Sequence, residues 1–347
     1  MLRSRRFWIG VVVSTVFLAL FFWQVEDFVE MGRALATANY VFLIPALLVY
    51  LVGVWFRAVR WHYLLSPLGN FASHRLFPLV VIGFMVNNIM PGRLGIVARA
   101  YILGERESIS KMSIAATIAT ERVFDGLALL SFLVVISLFV PLADWARTIV
   151  WVMTIVFVGS LVLLLLITFF EDATRRVAGV LFRLLPQQWR PKVAGWLDLA
   201  LYGLRVLRSP GKLLAVSIAS LLVWLCEGSM FYLISLSFDL QQPFYVMLLV
   251  TAIASLAWAL IFVAPGGVGP FNYFCQQAIV LFGVPTALAT AYVGVLHAMI
   301  ILPMIVLGLI FLWMNNLSLA KLVPKGRQER LAQDYEGNHS SESQDGE

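Results

Sequence analysis

The chain has 347 residues, of which 61% are hydrophobic and 13% are charged, and its net charge is +6. Soluble domains carry about a quarter of their residues as charges, so this composition excludes a soluble enzyme and gives no reason to expect a nucleic-acid partner. Apolar runs of about 20 residues, each long enough to cross a bilayer, recur along the chain. We therefore expect an all-α polytopic membrane protein that folds as one bundle.

The first apolar run, residues 7–23, follows Arg3, Arg5 and Arg6 and is not followed by a small-x-small cleavage site. This arrangement predicts an uncleaved signal anchor with a cytoplasmic amino end. We expect the chain to lie in the inner (plasma) membrane of the cell. The distribution of Lys and Arg in the later loops then predicts that both termini are cytoplasmic. The six predicted full spans are 7–23, 41–55, 112–140, 148–170, 213–236 and 285–313.

Segment 171–212 carries eight basic residues against three acidic ones, a net charge of +5, and we expect it to be a cytoplasmic loop. Its apolar residues recur at helical spacing, which predicts amphipathic helices on the inner leaflet. The domain organisation is then one integral membrane domain, 1–320, containing this loop, followed by a disordered cytoplasmic tail, 321–347.

Two further apolar segments, 76–104 and 244–283, are not needed as simple spans and are each interrupted by a Pro-Gly-x-x-Gly motif. We expect two broken, re-entrant helical hairpins, the first entering from the cytoplasm and the second from outside, as an inverted repeat. The alternative for the second segment is two crossings of unequal length, because 244–263 alone is long enough to span. The residues predicted to break the helices are Asn87, Asn88, Pro91, Gly92, Gly95, Pro265, Gly266, Gly267 and Gly269.

Broken backbone in hydrocarbon leaves peptide groups unpaired, so it survives only against protein or a water-filled cavity. Such breaks also place half-helix amino ends at mid-membrane, where an anion can bind. Arg93, inside the first motif, would add a cation with the planar fork that suits phosphate. The alternative is that proline and glycine only kink two packed helices.

Charged residues also occur deep inside apolar runs. Glu121, Arg122 and Asp125 lie about ten residues into the run 112–140, and Glu227 lies in the middle of 213–236. Charges at that depth are costly unless they are paired or hydrated. Glu121, Arg122 and Asp125 are either an internal structural ion cluster, a group near the interface, or the lining of a cavity. Glu227 either pairs with an arginine, Arg93 or Arg122, or is a protonated carrier.

Arg57 and Arg60 follow the second apolar run, and we expect them to anchor a cytoplasmic helix end, with contact to a headgroup phosphate as a second role. His297 is a lone histidine in the last run, which is typical of a packed, hydrogen-bonded residue rather than a ligand.

Motifs for metalloproteases, serine hydrolases, nucleotide-binding loops and sugar or acyl transfer are absent from the sequence. We therefore expect no catalytic residues, no metal site and no cofactor. Without a nucleotide-binding module, any transport would be downhill or coupled to an ion.

Four stretches taken together, FRAVRWHYLL, NNIMPGRLGIVARAYIL, ATERVFDGLALL and APGGVGPFNYF, resemble the flippase-like transmembrane domain of the lysylphosphatidylglycerol synthase family. The resemblance extends from about residue 8 to residue 313. In the two-part members of this family, the multiple peptide resistance factors, this domain is associated with movement of an aminoacylated phospholipid between leaflets. The resemblance implies a similar activity for this chain. The soluble synthase domain is not found in this sequence, so the resemblance implies no aminoacyl transfer and leaves the lipid open.

The resulting hypothesis is a lipid translocase with a mid-membrane cavity. Arg93, with Arg122, Arg57 and Arg60, would hold a lipid phosphate. Glu121, Asp125 and Glu227 would pair with these arginines or receive a cationic headgroup. The alternatives are an accessory subunit of a lipid or glycan synthesis enzyme, and a secondary transporter of a soluble anion. The expected partners are membrane phospholipids and, for the accessory subunit, the enzyme; a homo-oligomer is left open.

Overall fold

The structure is a computed structural model that describes residues 5–90, 94–137, 144–182, 186–187, 189–260 and 264–315. Every regular element in these ranges is helical, which confirms the predicted fold class. The α-helices are α1 Arg5–Trp23, α2 Phe28–Thr37, α3 Leu43–Leu65, α4 Ser73–Ile89, α5 Gly95–Glu107, α6 Lys111–Ser137, α7 Asp144–Phe169, α8 Glu171–Phe182, α9 Arg190–Leu204, α10 Pro210–Ser237, α11 Phe244–Leu260, α12 Pro270–Val280 and α13 Thr286–Met314.

Among the described residues, three helical segments are long and apolar enough to cross a membrane: Tyr40–Leu65, Pro210–Ser237 and Thr286–Met314. Two more qualify if each is counted together with the helix that follows it across a sharp bend, α1 with α2 at 92° and α7 with α8 at 102°. The remaining predicted span, 112–140, corresponds to α6, which has 27 residues but carries three charges within its apolar stretch. The chain is thus a multi-pass helical membrane protein.

Each of the two interrupted segments folds as a pair of helices packed against each other, α4 with α5 and α11 with α12. In the first pair, the α5 amino end lies against α4, and the Gly95 N–H donates to the Asn87 side chain at 2.8 Å. This bond satisfies one of the backbone donors that a helix start leaves free. The entry side of each hairpin and the inverted symmetry stay predictions.

The centre of the bundle is formed by α3 and α10, which pack along each other, with α6 crossing both. The contact is close where Gly53 of α3 meets Cys226 of α10, since a Cβ on Gly53 would lie 3.1 Å from the Cys226 Cβ. Helix α13 packs along α4 in a similar way, with Gly308 against Met85. These contacts bring both hairpins and α6 to one region of the bundle.

Two helices lie at the periphery. Helix α1 packs on α12, where the Gln276 side chain donates to the Phe21 carbonyl at 3.1 Å. Helix α7 packs mainly on α6 and leaves much of its apolar surface exposed, including Ile155 at 71%. A lipid environment accounts for this exposure, because lipid tails solvate apolar side chains.

The close contact between α4 and α5 predicts that Gly95→Ala destabilises the protein. A Cβ at position 95 would lie 2.1 Å from the Gly83 carbonyl oxygen, which is backbone and cannot rotate away. We expect the free energy of unfolding to fall by about 1–3 kcal/mol, seen as a lower melting temperature in detergent.

Gly159→Ala in α7 is the matched control, because nothing lies within 4 Å of its added Cβ. It should leave the melting temperature unchanged or raise it, since alanine favours a helix over glycine. Equal melting temperatures for the two variants would contradict the close contact.

Candidate functional site

A cavity of about 320 Å³ lies where the two hairpin breaks meet the central helices. Asn87 and Asn88 from the end of α4 line it, as do Trp258 and Ala264 from the second hairpin. The remaining walls come from α3, α5, α6, α7, α10 and α13. Both interrupted segments thus line one internal space.

The two hairpins touch each other close to the point where each is interrupted. A Cβ on Gly266 would lie 3.3 Å from the Asn88 carbonyl oxygen, and Gly266 has a φ of +59°, in the left-handed region that favours glycine. His297 of α13 holds this turn, because its Nε2–H donates to the Gly266 carbonyl at 3.0 Å. The Asn272 side chain lies 2.8 Å from His297 Nδ1 and accepts from the Gly269 N–H at 3.1 Å.

The predicted glycines of the second motif do not all face the cavity. Pro265 begins a 3-10 turn, Pro265–Gly267, and Gly267 lies against the Trp258 ring. Gly269 has a φ of +94° and lies against α1, where a Cβ would be 2.5 Å from the Ser14 carbonyl oxygen. In the first motif Pro91, Gly92 and Arg93 are outside the described residues.

The two deep carboxylates of α6, Glu121 and Asp125, are buried and paired with arginines from two other helices. Arg99 of α5 makes a two-point contact with Glu121, each of its terminal nitrogens 2.9 Å from a carboxylate oxygen. Arg60 of α3 lies 2.6 Å from Asp125, which also accepts from the Trp224 indole at 3.1 Å. Pairing of this kind is what allows charges to stay in a low-dielectric interior.

A third pair connects α3 to α10. The Arg57 guanidinium donates to the Glu227 carboxylate and lies between the Phe84 and Trp224 rings, about 5 Å from each centroid. The partner of Glu227 is therefore Arg57, whereas the sequence pointed to Arg93 or Arg122. The arginine fork stacked on aromatic rings lowers the cost of burying this pair.

Arg57 and Arg60 are not the exposed anchors that we expected at a helix end. Both are buried, because α3 continues to Leu65, ten residues beyond the apolar run, and there the carboxylates of α6 and α10 neutralise them. The expectation of an interfacial role for them is wrong for this structure.

Arg122 differs from the other three arginines. Its side chain is 38% exposed, against 9% or less for Arg57, Arg60 and Arg99, and it lines the cavity. It lies 3.2 Å from Asp125 and 3.9 Å from Glu121, two carboxylates that already have closer arginine partners. We name the seven residues Arg57, Arg60, Arg99, Arg122, Glu121, Asp125 and Glu227 the charge cluster.

The charge cluster contains four cations and three anions, so it carries a net charge of +1. Three one-to-one pairs account for the anions and leave Arg122 in excess. The Nε of Arg122 is buried and makes no hydrogen bond among the residues that the structure describes. The Nε atoms of Arg60 and Arg99 are likewise buried and without a hydrogen bond in the described part of the chain, so the exposure of its side chain is what distinguishes Arg122. The cluster therefore offers an incoming anion an unbalanced positive charge at the cavity wall.

Sequence reasoning missed Arg99. It predicted that His297 is packed and hydrogen-bonded, as the structure has it, but not which residues are its partners. Arg99 lies in the stretch VARAYIL, where an arginine among apolar residues was the available signal. His297 gave no signal beyond its burial in an apolar run, because its partners lie 25 and 31 residues away in the chain.

Comparison with known proteins supports the membrane assignment. The family described as the lysylphosphatidylglycerol synthase TM region matches residues 7–308. A UPF0104 membrane protein of Pyrococcus horikoshii is 25% identical over 307 residues, which cover 83% of this chain and 90% of the relative. A UPF0104 membrane protein of Methanothermobacter thermautotrophicus is 24% identical over 256 residues, covering 69% and 75% of the two chains.

No solved structure matches the chain. The family match extends over most of the sequence and includes both hairpins and the charge cluster. The chain belongs to the lysylphosphatidylglycerol synthase TM region family.

Proposed function

We propose that this protein moves a phospholipid between the leaflets of the inner (plasma) membrane, with the phosphate of the headgroup held at Arg122. Both chain termini would lie in the cytoplasm, and no catalytic step is involved. The observation that carries the proposal is the excess of one arginine in the charge cluster at the cavity wall.

Phosphate is the anion that best suits this site. A phosphodiester has a charge of −1, which balances the net +1 of the charge cluster. The guanidinium of Arg122 can donate from several nitrogens to phosphate oxygens in one plane. Because the surroundings exclude bulk water, this attraction is stronger than the same contact at a surface.

The cavity walls suit acyl chains on one side. Leu129 of α6, Leu256 of α11 and Phe157 of α7 contribute apolar surface to its lining. Helix α7 has lipid-facing residues on its other side, so the cavity is separated from the bilayer by one helix there. Phe157 approaches α6 at Gly126, where an added Cβ would lie 2.0 Å from the ring.

The meeting of the two hairpins provides a place where the cavity can open. Asn88, near the end of α4, is in contact with Gly266 in the turn before α12, and neither α4 nor α12 is among the long apolar spans. Separation of these ends would expose the headgroup site from one side without breaking the long helices α3 and α10. This geometry resembles the broken-helix sites at the midplane of secondary transporters.

The competing proposal is an accessory subunit in which the charges are only structural. The three closed pairs of the charge cluster favour it, since they give each carboxylate an arginine without a ligand. In that proposal Arg122 serves only through its contacts with Asp125 and Glu121 at 3.2 and 3.9 Å, so the loss of Arg122 should not affect lipid transfer. The effect of removing it therefore separates the two functions.

The proposed role of Arg122 predicts the effect of Arg122→Gln. Because the three pairs remain intact, the variant should fold with a melting temperature close to the wild type. In liposomes with fluorescent phosphatidylglycerol or phosphatidylcholine, transfer between leaflets should slow by roughly 10- to 100-fold, the effect of one lost charged hydrogen bond.

Arg33→Gln is the control for this assay, because Arg33 is exposed in α2, away from the cavity. It should keep the wild-type rate. Wild-type transfer by folded Arg122→Gln would refute the role of Arg122, whereas no transfer by the wild type would favour the accessory subunit.

A further prediction concerns the pair of Arg57 and Glu227. Arg57→Leu leaves a buried carboxylate without its partner, which should cost about 3–5 kcal/mol of stability. The double variant Arg57→Leu/Glu227→Leu should recover most of that loss, because both charges are removed. Melting temperatures in detergent would measure both effects.

The exposed pair of Lys111 and Glu105 is the matched control. Lys111→Met should change the stability by about 1 kcal/mol or less, as is usual for surface ion pairs. If Arg57→Leu is as mild as Lys111→Met, the buried pair does not stabilise the bundle.

A further inference from the structure

Helix α8 leaves the membrane bundle at a right angle. The axis turns by 102° between α7 and α8, and Phe170 is the only residue between the two helices. With α7 crossing the bilayer, as the sequence predicts for 148–170, this angle places α8 along the membrane surface. Its first turn then lies at the depth where α7 ends.

Helix α8 has an apolar side that no part of the described structure covers. Val177, Val180 and Leu181 are 62%, 60% and 58% exposed and share one face at helical spacing. Thr174, Ala178 and Phe182 on the adjoining face are partly buried, in accord with the packing of α8 on α9. Three apolar side chains exposed on a 12-residue helix predict an apolar environment for that face.

Two tryptophans near the start of α9 are also large apolar side chains that remain exposed. Trp189 and Trp196 are 44% and 41% exposed, and the Lys192 ammonium lies 5.3 and 5.5 Å from their ring centroids. Exposed tryptophans next to a lysine are typical of the boundary between headgroups and acyl chains.

We propose that Val177, Val180, Leu181, Trp189 and Trp196 form a docking surface for the anionic headgroup layer of the membrane that contains the protein. The charge of the segment is complementary to such lipids, with eight basic residues against three acidic ones in 171–212. Each lysine or arginine near anionic lipid contributes about 1 kcal/mol of attraction. The absence of a linker after α7 favours lipid over a protein partner, because α8 begins already at the lipid surface.

The position of α8 is held by a carboxylate at its first residue. Glu171 lies 3.3 Å from Arg205 and 2.9 Å from Arg208, and Arg208 also donates to the Thr168 carbonyl at the end of α7 at 3.0 Å. Hydrogen bonds from Arg205 lower the pKa of Glu171, so the carboxylate stays charged at neutral pH. The docking surface is therefore connected to α7, which is a wall of the cavity.

The test uses a polarity-sensitive fluorophore on single cysteines in lipid nanodiscs. Val177→Cys places the dye on the docking surface, and Asp172→Cys places it on the opposite, polar side of the same helix. Both positions are exposed, so neither substitution disturbs packing, and equal melting temperatures would confirm this. Unmutated protein treated with the dye gives the background from Cys226 and Cys275.

Two kinds of nanodisc are compared, one of phosphatidylcholine alone and one of phosphatidylcholine and phosphatidylglycerol in equal parts. Each is prepared with and without a spin-labelled lipid that quenches the dye. We expect quenching at position 177 to exceed that at position 172 by roughly twofold or more and to increase with phosphatidylglycerol. High salt should remove the increase, because it screens the charges.

Arg176→Glu separates charge from apolar contact, since Arg176 is exposed on α8. With the dye at position 177, this variant should lose the dependence on phosphatidylglycerol and keep the quenching seen in phosphatidylcholine. Equal quenching at positions 172 and 177, or a water-like emission at 177 in both lipids, would overturn the proposal and leave the surface to a protein partner. The outcome does not depend on whether the cavity carries a lipid.

Discussion

Carboxylates inside a bilayer must be neutralised, and the arrangement of the central helices follows from this requirement. Glu121 and Asp125 occupy one face of α6, and each needs a cation from a different helix, Arg99 from α5 and Arg60 from α3. The pairing holds the first hairpin and α3 against α6. Glu227 does the same between α10 and α3 through Arg57. The charges that are expensive to insert thus specify which helices meet.

The interrupted helices impose a second requirement, because each break exposes peptide groups that lipid cannot satisfy. Side-chain amides supply partners at both breaks, Asn87 for the start of α5 and Asn272 for the turn before α12. His297 adds a donor from a long helix to the Gly266 carbonyl. The breaks are therefore supported by neighbouring helices and can surround a cavity without unsatisfied backbone at these points.

The interrupted segments and the deep charges could be predicted from the sequence, because both are local departures from an apolar run. The partners of those charges could not, since Arg57 and Glu227 are 170 residues apart and many pairings satisfy the same composition. Arg99 looked like an ordinary arginine near a hairpin end, and only its contact with Glu121 shows that Arg122 is the cation in excess. The burial of Arg57 and Arg60 was missed for a related reason: a helix can continue beyond its apolar run when other helices neutralise its charges.

The unequal numbers of cations and anions around the cavity have an electrical consequence. The charge cluster has a net charge of +1, and a bound monoanion reduces it to zero. Moving one elementary charge across the full membrane against a potential of 100 mV requires about 2.3 kcal/mol. Under the proposed function, any movement of the charge cluster through the electric field of the membrane depends on voltage when no anion is bound, because the cluster then has a net charge. The same movement does not depend on voltage when a monoanion is bound. The membrane potential would then act on the return of the empty protein and not on the passage of the lipid.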